Sequence, residues 1–64
     1  MTDDERLAAF EAFADEVRTE LVGTNARMER LRADNKAKTA TYRQLFAVRV
    51  TLKDIDRRLS ERGL

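Results

Sequence analysis

The chain has no cysteine, no histidine, no proline and no tryptophan, and only two glycines in 64 residues. Without cysteine there is no disulfide framework, no thiolate metal site and no thiol nucleophile. Without histidine the commonest general base and the commonest metal ligand are missing. With no proline and few glycines, a loop-rich or multi-turn β fold lacks its turn residues. Apolar runs stop at four residues, whereas a membrane-spanning helix needs about 20. The start, Met1 to Glu5, is acidic and no apolar stretch follows it, so it does not read as a secretory signal and a cytoplasmic location is expected. The glycine pattern of a phosphate-binding loop is absent as well.

What the chain does have is charge and helical period. Charged residues make up 39% and hydrophobic residues 42%, with a formal net charge of +1. A chain near 60 residues buries only about 60% of its unfolded surface and is marginal alone. The apolar stock here is thin, with seven Leu, four Val, three Phe, two Met, one Ile and one Tyr. Association is the remaining way to stabilise such a chain, so a homo-oligomer is expected, a dimer first.

Thr2 with Glu5 fits a capping box, and Asp3, Asp4 and Glu5 suit the positive end of a helix dipole. From there Leu7, Phe10, Ala14, Val17, Leu21, Thr24, Met28 and Leu31 recur at alternating three and four, a heptad seam with Phe13 and Val22 on its flanks. Gly23 reads as lying opposite that seam, where a small residue is tolerated at a cost of about 1 kcal/mol against Ala. The seam fails at Asn35 and Lys38 and resumes with Thr41, Leu45, Val48, Leu52, Ile55 and Leu59. Thr41 with Gln44 offers a second capping box and Thr39 an alternative cap, while Gly63 reads as a C-terminal stop. The expectation is all-α: one helical domain over residues 1–64, with a helix at about 4–34, a turn at about 35–39 and a helix at about 40–62, assembling as antiparallel hairpins into a homo-oligomeric bundle. The rival is a single coiled-coil helix roughly 87 Å long at 1.5 Å per residue.

Charge separates the two. Residues 1–22 carry a net of −5, residues 23–45 a net of +4 and residues 46–64 a net of +2. A hairpin sets the acidic start beside Arg57, Arg58 and Arg62, whereas a parallel coiled coil stacks acid on acid. In the hairpin register Leu31 meets Leu45, Met28 meets Val48, Leu21 meets Ile55 and Val17 meets Leu59. The expected core is Leu7, Phe10, Val17, Leu21, Met28, Leu31, Leu45, Val48, Leu52, Ile55 and Leu59. Leu7, Phe10 and Phe13 run past the end of the second helix and want a partner chain. With Val17, Leu21 and Phe46 they form the expected oligomer interface.

Chemistry has little to work with. Glu16 and Glu20 share a helix face and could serve acid–base work or a divalent ion, but a solvated acidic face is the plainer reading. Ser60 and the threonines have no neighbouring base, so no catalytic triad can be built. No enzyme activity, cofactor or metal is expected. The basic stretch Arg27, Arg30, Arg32, Lys36, Lys38, Arg43 is more informative. There Lys38, Thr39, Tyr42, Arg43 and Arg49 are candidate anion ligands, with Tyr42 able to stack a base and an arginine to fork a phosphate. The plainer reading is that the basic side chains solubilise the helices and that Tyr42 and Phe46 join an oligomer core. Helix-turn-helix, basic-zipper and membrane-surface patterns all fit poorly. The expected function is a non-enzymatic, homo-oligomeric interaction or regulatory module, inhibitor-like or adaptor-like, whose partners are itself and a second protein. The alternative is an oligomeric sponge for an anionic nucleotide, and a nucleic-acid accessory factor is weaker still.

Overall fold

A computed structural model describes all 64 residues. It is all-helical: α1 spans Asp3–Ala33, α2 spans Ala40–Glu61, and the two pack against each other as a hairpin. The molecule is a rod measuring 49 × 16 × 15 Å. Neither helix is long and apolar enough to cross a membrane.

Each helix end has a local chemical cause. Thr2 Oγ1 accepts the Glu5 backbone N–H at 3.1 Å and starts α1. α1 stops because Asn35 takes the left-handed conformation, φ 60°. There the Lys36 N–H bonds the Leu31 carbonyl at 2.7 Å and the Asn35 N–H bonds the Arg32 carbonyl at 3.1 Å, the paired bonds of a Schellman cap. Asparagine is the non-glycine residue that tolerates this conformation best. This stop is what replaces the single continuous helix with a hairpin. α2 ends the same way at Gly63, φ 82°: Leu64 N–H bonds Leu59 O and Gly63 N–H bonds Ser60 O, both at 3.0 Å. Leu64 then packs on the cluster that contains Leu59, the apolar contact that accompanies such a cap.

At the start of α2 the cap is Thr39, and the Thr41–Gln44 box is not used. Thr39 Oγ1 accepts the Tyr42 N–H at 3.2 Å and donates to the Lys36 carbonyl at 2.7 Å. One hydroxyl thus caps the helix and closes the turn, a double role that Thr41, already inside the helix, cannot fill.

The seam between the helices buries Ala14, Val17, Thr24 and Met28 from α1 and Leu45, Leu52 and Leu59 from α2. Leu21, Ile55 and Leu64 pack on the edge of this core. Three residues expected in the core are exposed instead. Leu7 and Phe10 lie on the part of α1 that outruns α2, at 51% and 52% exposure, and Val48 is 40% exposed. The α2 burial repeats every seven residues, at Leu45, Leu52 and Leu59. The other seam position of α2 lies at the edge of the contact: Ile55 packs on the rim of the core and Val48 borders an open groove with Thr51 and Leu52.

Candidate functional site

The rod has two long flanks, one on each side of the seam. On the first, polar side chains bond across from α1 to α2. Arg18 Nε donates to Asp56 Oδ1 at 2.8 Å, its Nη1 donates to the Leu64 carbonyl at 2.8 Å and its Nη2 reaches Ser60 Oγ at 3.4 Å. Toward the turn, Arg32 Nη2 donates to the Tyr42 hydroxyl at 2.9 Å, with its guanidinium 6.0 Å from the ring centroid. Arg49 lies over the Phe46 ring at 4.9 Å, within cation–π range. The Arg18 and Arg32 links join residues 38 and 10 positions apart and fix the register of α1 on α2.

This arrangement locates the candidate anion ligands. Thr39 is committed to its cap. Tyr42 is half-buried with its hydroxyl held by Arg32, and Arg49 is half-buried against Phe46. Lys38 and Arg43 are exposed. No cavity gathers the five residues, and the open grooves of the surface are lined by others. No group of three or more carboxylates is placed to hold a metal ion.

The second flank is different. Shallow grooves follow one another along it. One is lined by Phe13, Ile55, Arg58, Leu59 and Arg62, and the next by Gln44, Ala47, Val48, Thr51 and Leu52. A third includes Glu20, Gly23, Thr24, Arg27, Arg30 and Thr41. Gly23, expected opposite the seam, therefore borders the groove between the helices. Glu16, Glu20, Arg27 and Arg30 are exposed and form no ion pair within the chain. At the far end of α2 the charges are matched locally. Arg57 bonds Asp54 at 2.6 Å and Glu61 at 2.7 Å, and Arg58 bonds Asp54 at 3.0 Å. The Arg57 hydrogen bond holds the Asp54 carboxyl below its ordinary value, with Arg58 adding to the effect.

Of the expected oligomer interface, Val17 is only 4% exposed and Leu21 packs beside it inside the hairpin, so both already have intrachain partners. Leu7, Phe10, Phe13 and Phe46 remain open, at 45–52% exposure. The sequence reading missed Arg18. Its only sequence signal is that it is one of two cations in the acidic first 22 residues, the other being Arg6. The fold and surface define a two-helix hairpin with side-chain bonds crossing between the helices on one flank and a run of open grooves along the other. Comparison with family models, with curated proteins and with solved structures returns no match.

Proposed function

We propose that this chain is a non-enzymatic interaction module: a homo-oligomeric helical hairpin, a dimer first, that acts by occupying a macromolecular partner as an inhibitor or adaptor does. The observation that carries this reading is the apolar end of α1, where Leu7 and Phe10 stand open past the last turn of α2 and Phe13 stands open beside it. Apolar side chains grouped in this way mark association surfaces in soluble proteins.

Surface area supports the same reading. The chain exposes 5088 Å², whereas a compact monomer of 7.4 kDa exposes about 4,200 Å². The excess, roughly 900 Å², is close to the ~800 Å² per partner that a standard interface covers. A second copy is the occupant that the charge distribution favours, because the acidic first third of the chain complements the basic middle third.

The test is sedimentation equilibrium on the wild type and on Phe10→Ala. Phe10 is already half exposed in the hairpin, so its truncation leaves helicity in place. Removing an aromatic anchor from an interface weakens association by about 30-fold or more. A wild type that stays monomeric up to submillimolar concentration overturns the reading.

A further inference from the structure

We infer that two copies pair through the open flank, in an antiparallel two-fold crossing of α1 on α1 centred on Gly23. In this crossing Glu16 lies opposite Arg30 of the second copy, and Glu20 opposite its Arg27. This rests on the self-association proposed above and specifies its geometry.

The stripe Glu16, Glu20, Gly23, Arg27, Arg30 advances by four, three, four and three residues, so it lies along one face of α1. Its sign reverses at Gly23. An antiparallel copy set about that point matches acid to base at every position, and each pair occurs twice by symmetry. A parallel copy sets like on like.

Within one chain the stripe is unfavourable. Glu16 beside Glu20 and Arg27 beside Arg30 are like-charge neighbours on a helix face, and none of the four has an ion-pair partner. The opposite flank shows what this chain does with charges it satisfies internally, as at Arg18 and Arg32. A second copy supplies the missing partners.

Gly23 has the character of a crossing point. A Cβ added there would meet nothing within 4 Å, so nothing inside the hairpin calls for a glycine, which costs helix stability in mid-helix. Two backbones that approach closely at that position do call for one. The same two-fold lays the acidic start of α1 along the basic turn of the second copy. It also covers the flank on which Phe13 and Val48 stand open, at 45% and 40%.

The test uses two charge variants of the whole chain, Glu16→Arg/Glu20→Arg and Arg27→Glu/Arg30→Glu. Neither breaks an intrachain ion pair, so circular dichroism should show hairpins as helical as the wild type. Each alone should self-associate at least about 30-fold more weakly, since four cross-chain pairs become repulsive. Mixed in equal amounts they should form a heterodimer with near wild-type affinity, because the crossing then faces arginine to glutamate throughout. Gly23→Leu, which favours the helix, should also weaken the dimer. If the wild type self-associates and Phe10→Ala dissociates it while both charge variants pair as the wild type does, the crossing is overturned and the interaction reading stands. A mixture that does not recover also overturns the crossing. A monomeric wild type overturns both.

Discussion

Arg18 is the one side chain that hydrogen-bonds the middle of α1 to the end of α2, and removing its guanidinium tests the hairpin directly. It makes two bonds of 2.8 Å, to the Asp56 carboxylate and the Leu64 carbonyl, and a longer one of 3.4 Å to Ser60. The Arg18 and Asp56 side chains are 38% and 32% exposed, so the ion pair sits at the upper end of the surface range, about 1 kcal/mol. The bond to the carbonyl adds about 1 kcal/mol more. Arg18→Met keeps the aliphatic stem that packs along the helix and loses both bonds, so it should cost about 2 kcal/mol. For a chain of this size that lowers Tm by roughly 8–16 °C. Arg18→Lys keeps the charge without the fork and should fall between the two. The assay is thermal unfolding by circular dichroism at matched protein concentration, because Tm of a self-associating chain depends on concentration. In a double-mutant cycle, Arg18→Met and Asp56→Asn should be non-additive by about 1 kcal/mol. If Arg18→Met melts within a degree or two of the wild type, or the cycle shows no coupling, the register that joins the helices is wrong.

Two further outcomes follow from the helix ends and the local charge pairs. At Asn35, φ 60° makes Asn35→Gly neutral or slightly stabilising, while Asn35→Val should cost about 1–2 kcal/mol in denaturant titration. Equal midpoints for Gly and Val would show that the left-handed stop is not what ends α1. Asp54 has its folded value lowered, first by the hydrogen bond from Arg57. A lowered carboxyl contributes stability that is present above its unfolded value, 3.8, and is lost as pH falls through the folded value. Melts taken from pH 6 downward should therefore show a steeper acid loss in the wild type than in Asp54→Asn. Parallel profiles would remove Asp54 from the acid response.

The helices, their caps and the antiparallel hairpin were legible because their causes are local. Thr2 and Gly63 are capping residues read within four positions of where they act, Thr39 stood second to the Thr41–Gln44 box, and the polar break after Leu31 marks the turn. The core was less legible. Val48 occupies a seam position by spacing, yet it is 40% exposed at the edge of the contact, and period alone does not give the rotation of α2 on α1. The anion cluster was drawn from proximity along the chain. In space Tyr42 is held by Arg32 and Arg49 lies on Phe46, pairings set by helix rotation. Arg18 was missed because its partners lie 38–46 residues away. The charged stripe at Gly23 was visible as residues but not as a surface, because which flank is already satisfied depends on the register across α2.

The central claim is that this hairpin acts as a self-associating interaction module, and native mass spectrometry of the gently purified chain tests it most directly. The expected spectrum shows an even multiple of 7.4 kDa with no additional mass retained. A monomer would contradict the claim outright. An oligomer carrying a few hundred extra daltons per chain would contradict it differently, and would point instead to the anionic nucleotide that Tyr42, Arg43 and Arg49 were considered to hold.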